Sequence, residues 1–366
     1  MVNERALIRQ LKNNDPTLRA LSLSAYFHSA SELSRLDFFN NASTTAARRE
    51  LALAHAKTLL DEIIEALNEP RSRYWISELR LELVEQMRDG EVSKKFARAL
   101  SLIESVEALH ASSNNFSDAA PLAKALRSLR LLKTLELSHN SFRCPAIVSL
   151  SAALPKLTML ETLDLSGNGF RLTGMRALVK VVHRLPSLRS LKLAQLVDGT
   201  FESFSRATTT TSNQEGLETA AAYLSTRLHK FKQPLELDFS LNGRSSTVAF
   251  IHAFPSGDTA RLKTLTLNES ELTDGQVMSL SALLMNCTRI EVLRLDGNEL
   301  TDHGAVTLSL NLPWLLSLRE LSLRRNREIT PRGVAALLAA RTLALTVLTD
   351  HAAPPPRSVR RSMSFG

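Results

Sequence analysis

Residues 132–142 read LKTLELSHNSF, residues 160–170 read LETLDLSGNGF and residues 290–300 read IEVLRLDGNEL. Each has leucine or isoleucine at positions one, four and six, asparagine at nine and a large apolar residue at eleven. With the fourth position as anchor, Leu135, Leu163 and Leu191 are spaced by 28 residues, and so are Leu237, Leu265, Leu293 and Leu321. Weaker copies anchor on Leu79, Leu109 and Leu348, at spacings of 30, 26 and 27 from their neighbours. A period held over so many copies means one unit stacked along one axis, so a length of 366 residues does not imply several domains.

Inside each copy the apolar residues alternate, as in a short strand, and then shift to helical spacing after a loop. Thr273-Asp274 before Gly275, Thr301-Asp302 before Gly304 and Thr330-Pro331 before Gly333 are helix-start signals, because a hydroxyl or carboxylate accepts from the first free N–H groups and proline suits the first turn. The asparagines Asn140, Asn168, Asn242, Asn298 and Asn326 are expected to satisfy backbone groups where strand becomes loop. With 44% hydrophobic but only 5% aromatic residues, the core is aliphatic. The expected class is α/β, a solenoid with a curved parallel sheet on the concave face and helices on the convex face.

The 28-residue period and the L-T-D-G and L-T-D-x-G segments at Leu272–Gly275 and Leu300–Gly304 resemble the ribonuclease-inhibitor-like leucine-rich-repeat family, to which the Ran GTPase-activating protein also belongs. The resemblance spans residues 76–350 and implies a horseshoe that binds another macromolecule. It is specific for fold and unspecific for function, since these solenoids present different side chains to unrelated partners.

Three segments depart from the repeat. Residues 1–75 read as a capping region: a helix over 2–13, a first strand around Leu18-Leu21-Leu23, an inserted segment over 24–45 and a long helix over 46–68. Leu191 and Leu237 are 46 residues apart, so a loop at about 196–216 is expected, with Leu196 in place of the ladder asparagine. Residues 351–366, after the three prolines, form a basic tail expected to be disordered, and Ser364 stands three residues after Arg361 as a basophilic phosphosite.

No zincin, Walker, EF-hand or nucleophile-elbow motif occurs, the nine histidines show no metal-ligand spacing, and Cys144 and Cys287 lie 143 positions apart. No catalytic residue, metal or cofactor is therefore expected, and the chain reads as a non-enzymatic scaffold or adaptor. The N-terminus lacks an apolar leader and no apolar run approaches a membrane span, which points to the cytoplasm, with the nucleus as the alternative. The resemblance offers two other functions, a small-GTPase regulator or a nuclease inhibitor.

Function is expected on the concave face, whose side chains occupy the strand positions between the leucines and just after them. The register puts Glu78, Glu82, Glu136, Asp164, Glu236, Asp238, Glu269, Asp296 and Glu320 there, together with Arg80, Lys192, Arg294, Arg324 and Arg325. The chain is +8 overall, yet this face is acidic, so it is expected to take a basic patch of a partner protein, and its sign argues against nucleic acid. The basic excess is expected elsewhere, for example on Lys124, Arg127, Arg130, Arg176, Lys180 and Arg184 of the outer helices and in the tail.

Overall fold

In a computed structural model, which describes residues 4–23, 42–69, 76–81, 85–116, 118–196, 212–254 and 261–351, the alternating leucines become strands of three to five residues. These are β1 (Ala20–Ser22), β2 (Glu78–Arg80), β3 (Ala108–His110), β4 (Thr134–Glu136), β5 (Thr162–Asp164), β6 (Ser190–Lys192), β7 (Leu235–Asp238), β8 (Leu262–Thr266), β9 (Val292–Arg294), β10 (Glu320–Ser322) and β11 (Thr346–Leu348). All pair in parallel in one open sheet whose strand order equals sequence order. The helices are α1 (Glu4–Lys12), α2 (Ala42–Leu67), α3 (Gly90–Ser101), α4 (Ala120–Leu126), α5 (Cys144–Ala153), α6 (Leu172–Val182), α7 (Ser212–Ser225), α8 (Arg244–His252), α9 (Asp274–Met285), α10 (Asp302–Ser309) and α11 (Pro331–Ala340). Among the described residues, none is long and apolar enough to cross a membrane.

The anchors pair in register from Leu21 with Leu79 through Leu293 with Leu321. Leu191 faces Leu237 directly, so the 46-residue spacing adds no strand, and β1 likewise lies against β2 although their anchors are 58 residues apart. Three expectations need correction. The last anchor is Val347, which faces Leu321, and not Leu348; the run after buried Leu345 is one residue shorter, which gives a spacing of 26. Residues 212–216, expected in the loop, open α7, where Leu217, Ala220, Ala221 and Leu224 are buried and hold the helix on the core. The long helix of the cap starts at Ala42 instead of residue 46. Most of the two expected insertions, 24–41 and 197–211, and residues 352–366 with Ser364 lie outside the described residues.

The leucines fill a single continuous core; Leu135, Leu163, Leu191, Leu237, Leu265, Leu293 and Leu321 are each 0–1% exposed. Burying each removes its apolar surface from water, worth about 1.5–3 kcal/mol. Polar groups at the strand ends are matched by the asparagines. The Asn298 amide donates to the Leu267 and Leu295 carbonyls (both 2.9 Å), and its oxygen accepts from the N–H groups of Ser270 (3.0 Å) and Leu272 (3.1 Å) in the preceding repeat. Asn140, Asn168, Asn242 and Asn326 likewise donate to a carbonyl of the preceding repeat and accept from its N–H groups, and Asn114, which belongs to the weak Leu109 copy, donates to the Leu81 carbonyl.

Directly before each ladder position the chain turns through a left-handed residue: Ser113, His139, Gly167, Gln195, Leu241, Glu269, Gly297 and Arg325 all have φ between 49° and 66°. A second lock joins the helix starts. Asp274 accepts from the Thr301 N–H (2.9 Å) and hydroxyl (2.6 Å), and Asp302 from the Thr330 N–H (2.7 Å), the Thr330 hydroxyl (2.7 Å) and the Gly333 N–H (3.0 Å). The glycine three residues after each of these threonines follows from this contact, because a Cβ at Gly304 would stand 2.3 Å from Asp274 Oδ1 and one at Gly333 2.5 Å from Asp302 Oδ1. Burial pushes the Asp302 carboxyl up, but the bonds from Thr330 and Gly333 outweigh it and hold the group below its ordinary value.

Candidate functional site

Because the anchors point into the core, the residues on either side of them point outward on the sheet, and successive strands set them in rows roughly 5 Å apart. These rows are the candidate site. All of the expected concave residues except Glu82, which lies outside the described residues, are partly or fully exposed, and Glu269, Asp296, Arg324 and Arg325 stand just past the strand ends. Each strand carries them on one face because Leu135, Leu163 and their equivalents claim the other.

Many of these charges are neutralised within the sheet. Arg80 donates to Glu78 (Nε to Oε1 2.6 Å), Lys192 lies 3.7 Å from Asp164, and Arg294 donates to Glu320 (2.9 Å). Arg325 pairs with Glu269 at 2.8 Å, although the two are two repeats apart. Gly297 lies between them, and a Cβ there would come within 2.8 Å of the Glu269 side chain, so its lack of a side chain lets the pair reach across. Asp296 accepts from the Ser322 hydroxyl (2.6 Å) and the Arg324 N–H (2.8 Å), and Asp238 from the Ser240 N–H (3.0 Å) and hydroxyl (2.6 Å). Exposed pairs of this kind are worth about 0–1 kcal/mol each, so they orient side chains more than they hold the fold.

His110 is the residue on this face that the motif reading passed over. It stands directly after the weak anchor Leu109; its Nδ1 lies 2.6 Å from Glu136 Oε2 and its Nε2 3.6 Å from Glu78 Oε1. The alignment of Leu109 with Leu135 was the signal that places it. Glu136, expected to meet a partner's cation, thus already faces an imidazole. In the centre of the strands Glu236, which is exposed, and Asp238, which accepts only from Ser240, are in no ion pair among the described residues.

At the C-terminal end of the face an open cleft of about 560 Å³ lies between Glu269, Glu299, Arg325, Glu328 and Asp350. Among the described residues, no three histidines, cysteines, aspartates or glutamates converge as metal ligands. Lys124, Arg127, Arg130, Arg176, Lys180 and Arg184 are all exposed, on or beside the convex helices and away from this sheet face.

A leucine-rich-repeat family model matches residues 156–179 and 315–338, stretches that contain the anchors Leu163 and Leu321. No curated protein sequence matches the chain. Similar solved structures include the yeast Rad7 and Elc1 complex, at 16% identity and a TM-score of 0.45, covering 81% of this chain and 65% of that one. This chain thus spans less than two thirds of the length of that relative. Internalin C2 of Listeria monocytogenes is similar at 18% identity and a TM-score of 0.30, with 69% and 74% of the two chains covered.

Proposed function

We propose that this leucine-rich-repeat protein is a non-enzymatic scaffold or adaptor that binds a partner protein through its concave face. One observation carries the reading: ten consecutive pairs of parallel strands present rows of exposed polar side chains on a surface whose charges bind one another and are not arranged as nucleophile and base. The fold suits this, since a solenoid offers an extended surface on a rigid core. The site we assign comprises Glu136, Asp164, Lys192, Glu236, Asp238, Glu269, Arg294, Asp296, Glu320, Arg324 and Arg325, with Glu236 and Asp238 at the centre meeting a basic patch of the partner. Cys144 and Cys287 form no disulfide with each other, which fits a reducing compartment, and we place the protein in the cytoplasm.

Crosslinking in native cells identifies the partner, and stopped-flow mixing then tests the site. Unpaired exposed charges act mainly on encounter rate, so Glu236→Lys with Asp238→Lys is expected to slow association roughly tenfold at low salt and less at high salt. Asp164→Lys, whose carboxylate is already shared with Lys192, is expected to do less. An association rate unchanged by the double reversal removes the assignment.

A further inference from the structure

Between residues 119 and 192 stand twelve of the chain's 45 lysines and arginines against three carboxylates, a balance of +9 where the whole chain is +8. Some of the twelve have partners: Lys133 donates to Glu107 (2.6 Å), Lys192 faces Asp164 (3.7 Å) and Arg176 lies over the Tyr223 ring. Arg127, Arg130, Lys156 and Arg184 are exposed and in no ion pair among the described residues, and exposed Lys230 and Lys232 extend the set into the next repeat. The placement is periodic. Lys156, Arg184 and Lys230 directly precede buried Leu157, Leu185 and Phe231, which close the helical half of three consecutive repeats, and Arg127 and Arg130 flank the equivalent Leu129.

We propose that this row is a second binding surface, for the phosphate backbone of a nucleic-acid duplex, separate from the concave face. Helices of neighbouring repeats lie about 8–10 Å apart, so four repeats set Arg127 and Lys230 roughly 30 Å from each other, close to one duplex turn of about 34 Å. Cations held in a line without their own carboxylates release counterions when they meet phosphates, and that supplies affinity without sequence preference. A duplex fits better than a single strand, because the face offers no stacking platform: Tyr223 is covered by Arg176 and Arg227, with guanidinium carbons 5.7 and 5.2 Å from its ring centre. A membrane fits less well, since the large apolar side chains exposed in the stretch are Leu131, Val148 and Met159, with no aromatic anchor among them. The acidic concave face does not oppose this, because the row lies at the helical side of the repeat.

The test titrates the full chain into a labelled duplex of about two turns at roughly 50, 100 and 200 mM salt, with anionic phospholipid vesicles and polyglutamate as parallel probes. The wild type is expected to bind the duplex with a log–log salt slope of about −3 to −4, as for four phosphate contacts. Arg127→Gln, Lys156→Gln, Arg184→Gln and Lys230→Gln combined are expected to weaken binding at least about tenfold at low salt and to flatten the slope. Arg294→Gln with Arg324→Gln, on the concave face, is expected to leave it unchanged. All these side chains are exposed, and circular dichroism confirms that each variant is folded. Absence of duplex binding at low salt, a quadruple variant that binds like the wild type, or vesicles or polyglutamate bound as tightly as the duplex overturns the proposal.

Discussion

In the repeat that follows β9, Thr301 gives its N–H and hydroxyl to Asp274 of the repeat before it; at the equivalent place after β5, Arg171 gives its N–H to the Cys144 thiol at 3.3 Å. The same two regions differ at the strand end. Asn298 gathers two N–H groups of the preceding repeat, whereas Leu196 stands where an asparagine would accept from Phe170, whose N–H turns instead to the Asn168 carbonyl in its own loop (3.0 Å). Both regions keep the backbone course and the leucine register. The repeat geometry is therefore set by the apolar anchors, and the polar locks add stability where the sequence supplies them.

The sharpest way to break that distinction is to exchange the ladder residues. Asn298→Leu strands buried donors and acceptors on two repeats and is expected to cost about 3–4 kcal/mol in chemical denaturation. Leu196→Asn loses a buried leucine but gains an acceptor near Phe170, and a cost of about 1 kcal/mol is expected. Equal costs would show that the ladder is a local detail at both places. Next come the glycines. A Cβ at Gly333 forces Asp302 off its three bonds, so Gly333→Ala is expected to cost about 1–3 kcal/mol. Gly275 meets nothing closer than Thr273 Oγ1 at 3.8 Å, and Gly275→Ala is expected to stabilise its helix by up to about 1 kcal/mol. A Gly333→Ala protein as stable as the wild type would mean that Asp302 does not join the repeats.

A pH series sharpens the same point with a smaller effect. The Asp302 carboxyl is held below its ordinary value, so its contribution is fully present above the unfolded-state value and is lost as pH falls through the folded one. Asp302→Asn is expected to flatten the acid limb of Tm against pH, and an unaltered limb would assign acid sensitivity to other carboxylates. The smallest change is expected from Cys144→Asp, which puts a carboxylate in front of the Arg171 N–H at the start of α5 and should add about 0.5–1 kcal/mol.

The leucine period, the sheet and most of the asparagine ladder were legible because each repeat buries the same positions, and burial leaves a periodic trace. The pairing of charges leaves no such trace. The acidic register on the concave side was readable, but whether Glu136 meets His110 or solvent depends on the lateral packing of two strands 26 residues apart in sequence. Asn114 escaped because its copy departs from the consensus around Leu109, and Leu348 drew the last anchor away from Val347 because leucine fits the motif better than valine. The role of Asp274 and Asp302 was half visible: their place at a helix start was clear, while the bond to the next repeat became visible only in the structure.

Strand order equals sequence order throughout the sheet, so no strand has to wait for a partner made much later in the chain. The same topology decides how the molecule gives way under tension. A force applied at the two chain ends meets each strand pair in series, and the repeats peel from the ends one at a time, each release lengthening the chain by one period before the next is loaded.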